Sequence, residues 1–257
     1  MGLTPQEWHQ RFNIQAGWTK NLRSYLLTKA GIQAAKNVLD VGCGTGALEN
    51  DTGALFEGHL FGIDFNLKFL STAKSWEDHQ AKKAFYSQAN ATQLPYPEGR
   101  FDLSFCHFLL LWLDDPSNAL EEMVRVTRAG GKVLALAEPD YGGRIDFPTQ
   151  FVKLGQMQMD ALLRQGAHPR IGRELAALFH RAGLKQVETG ILGAFWSEEF
   201  DEDGFISEWE MLEYDLSGRL SKAEMQDLRD KDRITRSLGN RILYVPTFFA
   251  SGTVPAK

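Results

Sequence analysis

The sequence predicts an α/β protein built on a doubly wound, mostly parallel sheet. Two observations carry that reading. Short apolar runs suited to buried parallel strands recur at Val38–Val41, His59–Ile63, Phe85–Ala89, Phe101–Phe105 and Lys132–Ala137. Segments with helical spacing separate them, and strands alternating with helices at this interval imply crossover connections. At 257 residues with 43% hydrophobic side chains, the chain has the size of one such domain with an added cap.

The elements follow in order. Thr4-Pro5-Gln6-Glu7 is a capping box with proline at the first helical position, and predicts a short helix to about Phe12. A second helix is predicted from Trp18 through Leu27, with Leu22, Tyr25 and Leu26 on one side. After the first strand and its glycine-rich turn, a helix from Ala47 is shortened by Gly53. Asn66 opens a helix to about Lys83, with Leu67, Leu70, Ala73 and Lys74 at helical spacing. Pro95-Tyr-Pro-Glu-Gly99 is a loop. Asp115-Pro116 starts a helix whose buried face is Leu120, Met123, Val124 and Thr127. Beyond a loop at Asp140–Arg144, a helix is predicted from Thr149 to Gln165 and another through Leu175, Leu178, Phe179 and Ala182, closed by Gly183. Gln186–Trp196 and Arg241–Ser251 read as the last strands. Between them Asp203–Gly239 should be helical. Ile206, Trp209, Leu212 and Leu216 keep helical spacing, and Ser221-Lys-Ala-Glu224 is a second capping box. The mixed charges of Lys222–Arg236 read as a solvated helix face.

The chemistry concentrates in Asn37–Gly46, which reads Asn-Val-Leu-Asp-Val-Gly-Cys-Gly-Thr-Gly. Gly42, Gly44 and Gly46 permit a tight strand-to-helix turn and remove the Cβ atoms that would keep a ligand away from the backbone. Asp64 ends the second strand, where a carboxylate has the acceptors to take both hydroxyls of a ribose. Read alone, Gly42-Cys-Gly-Thr-Gly-Ala47 also satisfies the dinucleotide fingerprint. Three further features point elsewhere. Asp40 precedes the turn, Ala89-Asn-Ala-Thr-Gln-Leu-Pro95 follows the third strand, and Arg128-Ala-Gly-Gly-Lys-Val133 leads into the fifth. Together these stretches resemble the class I S-adenosylmethionine-dependent methyltransferases, in particular the small-molecule branch with a type 11 domain. The resemblance covers about Asn37 to Asp140.

The resemblance implies a Rossmann-like sheet of seven strands with an antiparallel last strand, helical cap insertions and S-adenosylmethionine as cofactor. It divides a single domain into amino-terminal helices (1–36), a cofactor-binding core (37–140), a helical insertion (141–183) and the last strands with a helical lid at 203–239 (184–257). The backbone of Gly42, Cys43, Gly44 and Gly46 would meet the methionine end of the cofactor. Asp40 would face the ammonium or cap the turn, and Asp64 would hold the ribose. Phe65 would cover the adenine, with Asn90 and the Ala91 amide at its edge; Asn90 stands where the family often has aspartate. Trp18, Thr19 and Arg23 are placed to reach the methionine end or to pack their helix on the sheet. His107 after the fourth strand is a cofactor contact, a base or a buried structural histidine.

Methyl transfer is an in-line displacement, so alignment supplies much of the rate and no base is required unless the acceptor keeps its proton. Candidates for a base are His107, Tyr141 and His168. Glu138, Asp140 and Arg144 cluster with Tyr141 after the fifth strand, as acceptor contacts or as solvated loop charges, and Arg144 and Arg170 suit an acidic acceptor. Two alternatives stay open: a nicotinamide-dependent oxidoreductase and a non-catalytic cofactor-binding scaffold. The net charge of −5 disfavours an extended nucleic-acid surface. Cys43 and Cys106 make neither a disulfide framework nor a metal spacing, which fits a reducing cytoplasm, and no metal is expected. No signal peptide is read at the amino terminus. The longest apolar run, Phe105–Leu113, is too short to span a bilayer.

Overall fold

The computed structural model describes residues 3–76, 84–193 and 201–256. A seven-stranded sheet forms its centre. The strands are β1 (Asn37–Val41), β2 (His59–Asp64), β3 (Ala84–Gln88), β4 (Phe101–Cys106), β5 (Thr127–Pro139), β7 (Lys185–Ile191) and β9 (Thr247–Thr253), in the order β3-β2-β1-β4-β5-β9-β7. β1 pairs in parallel with β2 and β4, and β9 runs antiparallel between β5 and β7. The strand order reverses between β1 and β4, so the carboxyl ends of those two strands open the crevice where such sheets take ligands. Val38, Leu39 and Val41 are wholly buried because helices cover both faces of the sheet.

The helices are α1 (Pro5–Lys29), α2 (Glu49–Gly53), α3 (Leu67–Ser75), α4 (Pro116–Val126), α5 (Val152–Arg164), α6 (Leu175–Arg181), α7 (Glu202–Asp215) and α8 (Lys222–Ser237). Thr4, Asn66, Asp115 and Ser221 cap their helices through side-chain oxygens, as their spacing predicts. Phe151, Leu154 and Ala161 of the α5 region pack with Phe205, Trp209, Leu212, Leu216 and Met225 into a core separate from the two that flank the sheet.

Several expectations are corrected. The two amino-terminal helices are one 25-residue helix, α1, which runs through Gly17. It does so because an added Cβ at Gly17 would meet nothing, and glycine alone costs an exposed helix only about 1 kcal/mol. The last segment is two strands. β8 (Ile242–Tyr244) leaves the main sheet to pair with β6 (Ile145–Phe147) in a separate ribbon, and β9 begins after Pro246. The predicted helix from Thr149 starts as a 3-10 turn, and α5 proper begins at Val152. The α8 face is not fully solvated, since Asp232 is 1% exposed. The predicted ends at Lys83 and Trp196 lie outside the described residues.

Candidate active site

β1 delivers the chain to the glycine loop at the crevice. The amides of Gly42 and Cys43 both donate to the Ile63 carbonyl, at 2.8 and 2.9 Å, and so tie the loop to the end of β2. Gly42, Gly44 and Gly46 have φ of +78°, +56° and +76°, the left-handed region that favours glycine. A Cβ at Gly44 would stand 3.2 Å from the Phe12 ring. The Gly44 amide donates to Asp64 Oδ2 at 2.9 Å and the Asn66 amide to Asp64 Oδ1 at 2.7 Å. Those bonds fix the carboxylate at the rim, and each oxygen keeps a lone pair for a further donor. Beside it Phe65 is 75% exposed, an unusual position for a large apolar ring. Asn90 is exposed, with its Oδ1 accepting from the Thr92 amide, and Ala91 is buried behind it.

Under the loop lie two buried acids. Asp40 Oδ2 and both carboxylate oxygens of Glu49 have no hydrogen-bond partner among the described residues. Burial, then their mutual repulsion, holds the Asp40 carboxyl well above the usual carboxylate range. Burial likewise pushes Glu49 up to about 8. The nearest buried cation, Arg23, is spent elsewhere. It donates to Ala16 O, Thr19 Oγ1 and Asp51 Oδ2 at 2.8, 2.9 and 2.8 Å. Sequence reading passed over Glu49; the signal was an acid at the start of a short helix that follows the glycine loop and has to pack on the sheet.

The first turns of α1 roof the loop. His9 Nδ1 is hydrogen-bonded to Thr45 Oγ1 at 2.9 Å, and its ring stacks on Trp76 at 5.1 Å. Trp8, Phe12 and Phe69 form an aromatic group over Gly44, and Tyr214 of α7 meets Trp8 edge-on at 5.6 Å. Further along α1, Thr19 Oγ1 is hydrogen-bonded to His107 Nε2 at 2.9 Å. Trp18, at 55% exposure, stands outside this group. Burial and the Arg23 charge push His107 down to about 3, so its ring is neutral and a poor proton acceptor near neutrality.

The groups after β5 are mostly engaged rather than solvated. Glu138 is fully buried and accepts from the amides of Leu109, Leu110 and Leu111, which pins the segment after β4. Arg173 makes a bidentate pair with Asp140. Arg144 is bonded to Asp146 and Gln158, and is therefore not a free cation for an acceptor. Burial, then the Asp215 charge, pushes the Tyr141 hydroxyl up to about 12. His168 and Arg170 are exposed. Among the described residues no cluster of three or more metal-ligating side chains occurs, and no helix is long and apolar enough to cross a membrane.

A family model described as a methyltransferase domain matches residues 39–135. The chain is 38% identical over 120 residues to a ubiquinone/menaquinone biosynthesis C-methyltransferase of Bdellovibrio bacteriovorus, covering 46% of this chain and 49% of that one. It is 36% identical over 122 residues to a demethylmenaquinone methyltransferase of Oceanobacillus iheyensis, covering 46% and 50%. The chain thus spans about half the length of these two curated relatives. A demethylmenaquinone methyltransferase of Bacillus licheniformis is matched more widely: 33% identity over 192 residues, 66% of this chain and 79% of that one. Among solved structures, a Haemonchus contortus phosphoethanolamine N-methyltransferase bound to S-adenosylhomocysteine superposes with TM-score 0.61 at 16% identity, covering 92% of this chain and 53% of the other. The [4+2]-cyclase SpnF gives TM-score 0.61 at 17% identity, covering 93% and 81%. At such identities these likenesses speak for the fold alone.

Proposed function

We propose that this chain, which belongs to the class I S-adenosylmethionine-dependent methyltransferase family, transfers a methyl group to a ring carbon of a planar, quinol-type acceptor. The observation that carries the acceptor class is the Bacillus licheniformis alignment. It takes in 66% of this chain, a longer stretch than the residues 39–135 that the methyltransferase domain model matches. The aromatic group of Trp8, Phe12, Phe69 and Tyr214 supports a flat, apolar acceptor.

The residues fit the cofactor. An ammonium brings three N–H donors, and the buried carboxylate oxygens without partners among the described residues are Asp40 Oδ2, Glu49 Oε1 and Glu49 Oε2. Asp64 would take the ribose hydroxyls on the lone pairs its backbone bonds leave free. Phe65 would lie on the adenine with Asn90 and the Ala91 amide at its edge. The bound cofactor supplies an electrophilic methyl on a positively charged sulfur. The work left to the protein is alignment and exclusion of water, which the α1 roof performs. An ionised ring oxygen raises electron density at the neighbouring carbon. That carbon would be the nucleophile toward the methyl that the bound cofactor would supply, and the ring C–H proton would pass to solvent water as aromaticity returns. Burial makes the His107 imidazole a weak proton acceptor and keeps the Tyr141 hydroxyl protonated near pH 7, which disfavours both as the base for the first step. We assign the lid (203–239) to the acceptor side, where Tyr214 reaches the α1 roof.

The test is anaerobic incubation with methyl-labelled S-adenosylmethionine and a reduced, 2-unsubstituted naphthoquinol, with phosphoethanolamine and simple phenols alongside. We expect label in the naphthoquinol ring carbon. Label on an amine or hydroxyl, with none on the ring, would overturn the acceptor class.

A further inference from the structure

Arg11 is the one α1 side chain on this face whose charge finds no hydrogen-bonded counterpart. It is 6% exposed, and its Nη1 has no partner among the described residues. The nearest ion-pair partner, Glu210, is 3.9 Å from Nη2, beyond hydrogen-bond reach, and its own side chain is 51% exposed. The guanidinium instead lies over two rings, 5.7 Å from the Trp8 centroid and 5.9 Å from that of Tyr214. Ring faces offset part of the cost of burying a cation, but they give an N–H nothing to bond to in the way an anion does. A guanidinium offers five N–H donors and no acceptor, so only an acceptor group, best an anion, can satisfy this buried donor.

Its position ties it to the reaction crevice. Trp8, Arg11 and Phe12 sit at i, i+3 and i+4, one face of α1. Phe12 lies against Gly44 and His9 is bonded to Thr45, so the residues around Arg11 sit on the glycine loop. On its other side stand Tyr214 and Glu210 of α7, and Asp215 feels its charge. Asp215 in turn acts on Tyr141 just beyond β5. Arg11 therefore lies between the cofactor loop and the acceptor side.

We propose that Arg11 is the acceptor-recognition residue, its free Nη1 binding an ionised oxygen on the acceptor ring while the walls of Trp8 and Tyr214 receive the ring's apolar body. This rests on the quinol reading above and adds to it the acceptor's charge state. A planar guanidinium suits an oxygen in the plane of an aromatic ring, where a point-like ammonium has no such directional fork. It also gives the acceptor oxygen a reason to remain ionised beside the reacting carbon, because a cation within bonding distance favours the charged form.

The experiment measures binding, by quenching of tryptophan fluorescence, to the protein loaded with S-adenosylhomocysteine. The probes are 2-hydroxy-1,4-naphthoquinone, which is anionic at neutral pH, and its neutral 2-methoxy ether. The native chain should prefer the anion by about tenfold or more, as one charge-assisted hydrogen bond requires. Arg11→Gln should erase the preference while S-adenosylhomocysteine affinity, read by calorimetry, stays within about twofold. Arg11→Lys, which keeps the charge without the fork, should retain a smaller preference, and it carries the comparison if the glutamine variant does not fold. Equal binding of both probes, unaffected by either substitution, would overturn the role of Arg11 and leave the ring-acceptor reading standing. Loss of S-adenosylhomocysteine affinity in Arg11→Gln would overturn it by assigning the guanidinium to the cofactor's carboxylate. Binding of neither probe to the loaded native chain would remove the quinol reading itself, and the proposal with it.

Discussion

Glu49 is buried with both carboxylate oxygens unpartnered, and its protonation is therefore linked to folding. Its folded-state value of about 8 lies above the ordinary 4.5, so the native chain holds a proton that the unfolded chain has lost. The sign follows. The stabilisation is complete below pH 4.5 and is lost as pH rises through about 8. We expect the urea midpoint of the native chain to fall between pH 4.5 and about 8 and to level off above that, and Glu49→Gln to flatten the fall by a few kcal/mol, on the order that such a displacement implies. Equal slopes in the two proteins would show that Glu49 does not titrate with folding. Asp64 makes a different prediction. Asp64→Ala removes a charged acceptor from the crevice rim, and each lost bond to the ribose is worth about 1.5–3 kcal/mol. Calorimetry should show S-adenosylhomocysteine binding weakened by tenfold or more, on the order set by one such bond. At Gly44 two effects combine: φ is +56°, and a Cβ would press on Phe12 at 3.2 Å. Gly44→Val should abolish cofactor binding with the circular dichroism spectrum retained, since the strain of about 1–3 kcal/mol stays local to the turn.

At the scale of elements, the glycine loop and the helix caps were legible in the sequence because local chemistry fixes them. Thr4, Asn66, Asp115 and Ser221 cap because their side chains reach an amide two or three residues on. The continuity of α1 was not legible. Its inner face carries Arg11, Ala16, Thr19 and Arg23 as well as Leu26 and Leu27, so the apolar period that marks a buried helix face is broken by polar groups, of which Thr19 and Arg23 find partners only in the folded chain. The β6–β8 ribbon was hidden for a related reason. Its strands have three residues each, and a buried charge ladder holds it: Arg241 bonds Asp146 at 2.7 Å and Asp232 at 2.6 Å. Asp232 also accepts from Trp209 Nε1 and Arg236 Nε, both at 2.9 Å, so one carboxylate joins α7, α8 and the ribbon. Asp232→Ala would leave two guanidinium groups without their shared anion, at a cost of about 3–5 kcal/mol. The thermal midpoint should fall by roughly 10 °C. A shift of no more than a degree or two, a fraction of that size, would mean that water or Glu208 replaces the carboxylate.

Across the whole molecule, α1 joins the glycine loop, the segment after β4, α2 and α7. His9 and Phe12 lie on the glycine loop, Thr19 on His107, Arg23 on Asp51 of α2, and Trp8 and Arg11 on α7. The segment that carries α7 and α8 is not tethered to the sheet alone. Phe205, Trp209, Leu212 and Leu216 bury themselves against the α5 region, so α7 and α8 share a core with it. Excising 203–239 would therefore expose Phe151 and Leu154 and disturb Arg241, and a point substitution probes the proposed lid more cleanly. Trp8 is the place to make it, because its ring joins α1 and α3 to α7 through Phe69 and Tyr214. Coupling between two sites requires an element whose state both of them bias, and α1 is placed to be that element. We expect S-adenosylhomocysteine to slow amide exchange in α1 and, through Trp8, in α7. In Trp8→Ala the cofactor should still slow exchange at Val38–Val41 and in the glycine loop, but the protection of α7 should vanish. The two free-energy changes would differ by about 1–3 kcal/mol, the usual size of such coupling. If α7 is protected equally in both proteins, the lid responds to the cofactor by another route. If α7 exchanges as slowly as Val38–Val41 before any ligand is added, it belongs to the fixed core and does not move in the catalytic cycle.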